Sequence, residues 1–132
     1  ASGQTLDLRQ RDIKHSGVAM ECRINAEDPS RGYAPSPGRV DKFIVPGGPG
    51  VRVDTHIYQG AMVSPHYDSM IAKLIVHQPT REAAIATMKR ALREFRIEPI
   101  KTTIPAHIAI LSHNLFVKNK VDTGFIEHHM EL

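Results

Sequence analysis

The chain has 132 residues, 41% of them hydrophobic and only 5% aromatic, with no Trp, a single Cys and a net charge of +3. That length supports one core and is too short for two ordinary domains, so residues 1–132 are read as a single domain. Basic and acidic residues are interspersed without aromatic-laced basic runs, which argues against a nucleic-acid partner, and no apolar run approaches the roughly 18 residues that span a membrane.

The start, Ala1-Ser2-Gly3-Gln4, has neither an initiator Met nor leader character and reads as a cut, so the chain is expected to be a piece of a longer protein. The first strand is expected over 17–26. Along it Met20, Cys22 and Ile24 fall on one side, and Glu21, Arg23 and Asn25 on the other. One face suits a core. The other can hold the planar donor fork of Arg23 toward an anion or a polarised carbonyl. Cys22, alone and on the apolar side, excludes an internal disulfide framework and is expected to be a buried, inert thiol in a reducing compartment.

Turn clusters at 28–32 and 35–38 precede a short strand, Arg39 to Val45. Pro46-Gly47-Gly48-Pro49-Gly50 is glycine-rich but lies between strands. A phosphate-cradling loop would open a helix, so this one is read as a hairpin turn. Val51 to Tyr58 alternates again. A turn at Gln59-Gly60 leads to Met62-Val63, and Ser69 to His77 reads as a buried strand. Short strands separated by Gly/Pro turns suggest an antiparallel sheet or partial barrel.

Helical signals begin at Thr80, an expected N-cap, with Glu82 in the first turn. Ala84, Ile85, Met88, Ala91, Leu92 and Phe95 recur at three- and four-residue spacing as one apolar stripe, and Arg81, Lys89, Arg90, Arg93 and Glu94 are read as its solvated face. Pro105 is expected at the start of a second helix, and Thr123 as the cap of a short last one. The fold class is therefore α+β, with an antiparallel, partly barrel-like sheet and C-terminal helices.

The chemical candidates are few. Eight histidines invite a metal site, but His128-His129 are adjacent and His107 and His113 lie six apart, so neither pair shares a face; no metal is assigned. Lys73 lies inside a continuous apolar run rather than at a hairpin tip. It is read as a strand lysine facing a polar partner, not as a prosthetic-group carrier.

Several motifs together carry a family resemblance. Met20-Glu21-Cys22-Arg23-Ile24-Asn25-Ala26-Glu27-Asp28-Pro29 comes first. Pro35-Ser36-Pro37-Gly38, Pro46-Gly47-Gly48 with Gly50-Val51-Arg52, and Tyr67-Asp68-Ser69-Met70-Ile71-Ala72-Lys73-Leu74 follow in order, and Lys101-Thr102 also fits. From about residue 4 to its end the chain resembles the C-terminal domain of biotin carboxylase, the ATP-grasp component of biotin-dependent carboxylases such as acetyl-CoA carboxylase. Departures occur at Gly17-Val18-Ala19 and at His66, where the family often has Gly-His-Ala and a tyrosine.

The resemblance implies a cytoplasmic ligase of fatty acid biosynthesis, or a mitochondrial-matrix one in a eukaryotic parent. In that family bicarbonate is activated as carboxyphosphate and biotin N1 is then carboxylated. Arg23 would be the catalytic arginine of the biotin/bicarbonate site, stabilising the ureido oxygen as N1 loses its proton, and Asp68 would orient it. Arg52 and Glu94 would lie at a homodimer interface; Thr87 stands where some members place a further interface arginine. Biotin would arrive on a separate carrier domain, with a carboxyltransferase as a further partner. ATP and Mg2+ would be bound mainly by an ATP-grasp region that this chain lacks, so the chain alone should be inactive. The resemblance also suggests a barrel-sandwich or rudimentary hybrid sheet. The alternative is a non-catalytic docking module for a carrier domain or a partner carboxylase subunit; a buried Arg23–Asp68 pair would favour the catalytic reading.

Overall fold

The computed structural model describes residues 2–130, so Ala1, where the expected cut begins, lies outside the described residues. Their order is β1 (Val18–Asn25), β2 (Glu27–Asp28), β3 (Ala34–Pro35), β4 (Gly38–Arg39), β5 (Lys42–Ile44), β6 (Val51–Thr55), β7 (Met62–Val63), β8 (Met70–Gln78), α1 (Arg81–Glu94), β9 (Arg96–Glu98), α2 (Ile104–Ser112), α3 (Asn114–Val117) and α4 (Phe125–His129). A three-stranded antiparallel sheet, β1-β8-β6, forms the frame, and the pairs β2-β3, β4-β7 and β5-β9 surround it. The α+β class holds. The described strands form separate sheets and no closed barrel.

β8 is the middle strand, and its Ile71, Ala72, Leu74 and Val76 are all buried. α1 packs on it through the expected stripe: Ala84, Ile85, Met88, Ala91, Leu92 and Phe95 are each buried. Thr80 caps α1, its hydroxyl accepting from the amide of Ala83 at 3.2 Å. Cys22 and Ile24 of β1 join this core from their side of the strand, as the alternation requires. Removing most of a core side chain such as Leu74 would cost about 2–5 kcal/mol.

Several elements differ from the sequence reading, each for a local reason. The expected strand over 39–45 splits into β4 and β5, because Val40 turns inward, fully buried, while its amide bonds to Ala61. β5 then pairs with β9, a short strand that the helical pattern around it concealed. Since β5 and β6 join different sheets, Pro46–Gly50 is a corner and not a hairpin. Gly50 is required there. Its φ of +71° is left-handed, and an added Cβ would run into the carbonyl oxygen of His77, whose amide donates to Gly50. β6 stops at Thr55 instead of Tyr58, where the Thr55 hydroxyl donates to the Ile71 carbonyl and accepts from the Ile57 amide. Arg81 leaves the solvated face: its guanidinium donates to the carbonyls of Phe116 and Val117 and lies 5.0 Å from the Phe116 ring centroid. α2 begins at Ile104, one residue before Pro105, and α4 is capped by Gly124 rather than Thr123.

Candidate active site

The solvent face of the central sheet is set by its register. Arg23 of β1 lies opposite Lys73 of β8, and Lys73 lies opposite Asp54 of β6. The next row runs Glu21, Ile75, Arg52. The first row thus sets two cations, Arg23 and Lys73, side by side with Asp54 beyond them, at the spacing where cross-strand charges interact. Arg52 and Asp54 close this face with two bonds of 2.8 and 2.7 Å. That hydrogen bonding holds the Asp54 carboxyl below its ordinary range, with the nearby charges of Arg52 and Lys73 adding to the effect. Lys73 is thus a strand lysine facing a polar partner, as its sequence context indicated.

Arg23 is exposed, as its side of the strand predicts. Its Nε donates to Met70 Sδ at 3.2 Å, and among the described residues it forms no salt bridge with Glu21, Glu27 or any other carboxylate. A depression of about 240 Å³, lined by Met70, Lys73, Asp54 and His56 among others, adjoins this position.

Asp68 is also exposed and makes no ion pair with Arg23. Its Oδ1 accepts from the Met70 amide at 2.7 Å, an Asx-type turn that starts β8. The expected buried Arg23–Asp68 pair is therefore not formed. Both residues meet Met70, one at its amide and the other at its sulfur. Glu27 is engaged elsewhere, accepting from the Ser69 hydroxyl and from Asn25 Nδ2.

The backbone beneath Arg23 is held from α2. Thr103, the residue before this helix, donates its hydroxyl to the Arg23 carbonyl at 3.1 Å and accepts from the Asn25 amide at 3.1 Å. Its own amide donates to the Asn25 carbonyl. His107, one turn further, places Nε2 2.8 Å from the same Arg23 carbonyl. A carbonyl only accepts, so Nε2 carries the proton. Burial lowers the His107 pKa, partly opposed by this bond. Sequence reasoning considered His107 only as a metal ligand and passed over Thr103. Their i, i+4 spacing, which puts both on one helical face, was the available signal.

Cys22 is buried, and its thiol is pushed up to about 12 by burial, with the Glu21 charge adding to it. Arg52 and Glu94 occupy different elements and each already has a partner within the chain, Glu94 accepting from Arg90 at 2.7 Å. His113 caps α3 through Nδ1 and packs edge-on to Phe125. Among the described residues no three His, Cys, Asp or Glu side chains form a metal-holding group, and no helix is long and apolar enough to cross a membrane.

An exposed arginine on β1, flanked by a lysine and backed by a clamped main chain, is the candidate site of this α+β domain. The chain belongs to the biotin carboxylase C-terminal domain family, whose model matches residues 21–128. It is 54% identical over 127 residues to biotin carboxylase 1 of Bacillus subtilis, covering 96% of this chain and 28% of that protein. It is 50% identical to the chloroplastic biotin carboxylase of Arabidopsis thaliana, covering 99% of this chain and 24% of that one. Among solved structures it superposes, with a TM-score of 0.93 and 44% identity, on the biotin carboxylase domain dimer of Hydrogenobacter thermophilus 2-oxoglutarate carboxylase in complex with MgADP, ADP and bicarbonate. That match covers 97% of this chain and 28% of the other. The chain thus spans about a quarter of the length of the relatives it matches.

Proposed function

We propose that this domain contributes Arg23 to the biotin/bicarbonate site of an ATP-dependent biotin carboxylase. The observation that carries the reading is an exposed guanidinium on a fixed strand, engaged by a thioether and by no carboxylate among the described residues. A thioether is a weak acceptor, so the fork can turn to a stronger one. ATP and bicarbonate, bound by the rest of the enzyme, would supply the activated carboxyl group, and biotin would be its acceptor. Arg23 would donate to the ureido oxygen as negative charge develops on it, and an oriented donor of that kind is worth about 3 kcal/mol. Lys73, its cross-strand neighbour, adds positive potential that favours the anion. Asp68 supports the site indirectly, by holding the Met70 turn against which Arg23 rests.

The described residues form no carboxylate set for Mg2+. That ion and ATP belong to an ATP-grasp region supplied by the parent, and the isolated domain is read as inactive. Biotin comes on a carrier domain, and a carboxyltransferase takes the product onward. The proposal is confined to this half-reaction, since a 2-oxoglutarate carboxylase shares the domain; acetyl-CoA is one acceptor consistent with it. Arg52 and Glu94 are proposed for a homodimer surface, supported by the dimer described for the Hydrogenobacter domain. We place the parent in the cytoplasm on the bacterial relative. The plant relative is named chloroplastic, which removes support from a mitochondrial setting.

The test is Arg23→Lys in the full-length carboxylase, which keeps the charge and loses the planar fork. Carboxylation of biotin should fall by about a hundredfold. A rate equal to the parent's would refute the role.

A further inference from the structure

The ladder that carries Arg23 is irregular at the point where it matters. Up to Ile24 opposite Ala72, β1 pairs with β8 residue by residue; Asn25 then pairs with Met70, so the register slips between Ile24 and Asn25, one residue beyond Arg23. Bulges near functional residues re-aim side chains, and they leave the local backbone less determined by its own sheet. The outer edge of β1 supplies the missing restraint. Thr103 bridges the slip, donating to the Arg23 carbonyl on one side while exchanging amide and hydroxyl bonds with Asn25 on the other. Its hydroxyl makes no cap bond to α2, so the side chain serves β1 and not its own helix. His107 adds a second donor to the same carbonyl.

We infer that Thr103 and His107 are positioning residues for Arg23, aiming its guanidinium by fixing the peptide that bears it. The inference rests on the reading of Arg23 given above. Neither side chain touches the reacting atoms; both act through the Arg23 carbonyl. A displacement of about 1 Å in a catalytic group can cost up to a hundredfold in rate. Losing one of two restraints on this carbonyl should therefore lower turnover by roughly tenfold.

The experiment uses the full-length carboxylase with His107→Leu and Thr103→Val, which remove the bonds. His107→Gln and Thr103→Ser, which keep a donor, are their controls. Each is made in the parent and in an Arg23→Gln background, and kcat for biotin carboxylation, KM for ATP and melting temperature are measured. His107→Leu and Thr103→Val should each lower kcat by about tenfold with KM for ATP within twofold, and Gln or Ser should restore the rate to within threefold of the parent. In the Arg23→Gln background the same changes should cost less than about twofold, because nothing is left to position.

A slow Arg23→Gln beside parent-like His107→Leu and Thr103→Val would overturn this inference alone. So would an equal loss in both backgrounds, which marks a merely structural role. A parent-like Arg23→Gln would overturn the reading of Arg23 itself and this inference with it. If His107→Leu fails to fold, Thr103→Val, close to isosteric, decides by the same comparison.

Discussion

Arg23 points its Nε at the sulfur of Met70, 3.2 Å away, and not at Asp68, whose carboxylate is bonded to the Met70 amide. The contact is a resting place. N–H donors bind sulfur weakly, whereas a hydrogen bond to a charged acceptor contributes about 1.5–3 kcal/mol. An arriving anion can therefore take the guanidinium without breaking an ion pair. Had Arg23 been locked to a carboxylate, its donors would have been neutralised before any substrate bound.

The isolated chain should be catalytically silent. It carries the candidate arginine, but the described residues show no metal-holding carboxylate group, and the chain spans only 28% of its Bacillus subtilis relative, the remainder being where the proposal places ATP binding. Purified domain mixed with ATP, bicarbonate and free biotin should release no ADP above a blank preparation. Bicarbonate-dependent ATP turnover by this chain alone would overturn that division of labour.

Much of the fold was legible because its signals are local. The alternation at Glu21 to Ile24 and the stripe from Ala84 to Phe95 each follow from one period and match the burial, while Met20 and Asn25 at the ends of the motif are both half-buried. Thr80 was readable as a cap for the same reason. What escaped depends on pairing across the chain. β9 is three residues whose strand character comes only from β5, and the corner at Pro46–Gly50 looks like a hairpin until the partners of β5 and β6 are known. The site divides likewise: Arg23 stands out in its motif, whereas the service of Thr103 and His107 to it spans about 80 residues of sequence.

Assembly should be weak in the isolated domain. Arg52 already forms a bidentate pair with Asp54, and Glu94 accepts a single bond from Arg90, so an intersubunit Arg52–Glu94 contact would replace existing bonds rather than add to them. Exposed charge pairs contribute about 0–1 kcal/mol each. Sedimentation should find monomer, or a dimer that dissociates as salt rises. A tight, salt-insensitive dimer would show that apolar surface dominates the interface.

Stability should depend on pH through His107. Its pKa is lowered in the folded chain, chiefly by burial, so the unfolded chain takes up the proton first as pH falls. The stability associated with neutral His107 is complete above the ordinary histidine range and declines as pH drops through that range toward the lowered folded value. Asp28 and Asp54, whose pKa values are depressed mainly by hydrogen bonds from Ser30 and Arg52, lose their contributions only lower, through the carboxylate range. Urea midpoints measured at about pH 7.5 and 5.5, on either side of the ordinary histidine pKa, should fall further for the natural chain than for His107→Gln. Identical falls would show that His107 titrates normally in the folded state.

The claim that Arg23 stabilises charge on biotin is tested most directly by the ratio of two rates in full-length Arg23→Gln enzyme. One is carboxylation of biotin, and the other is bicarbonate-dependent ATP hydrolysis without biotin. Folding should be unchanged, because Arg23 faces away from the buried Cys22 and Ile24, and KM for ATP should stay near the parent value. Carboxylation should fall by about a hundredfold or more while biotin-independent hydrolysis falls markedly less, as expected when a donor to the developing oxyanion is lost. Carboxylation within about threefold of the parent, well short of a lost oxyanion donor, would contradict the account and return Arg23 to the status of a surface charge.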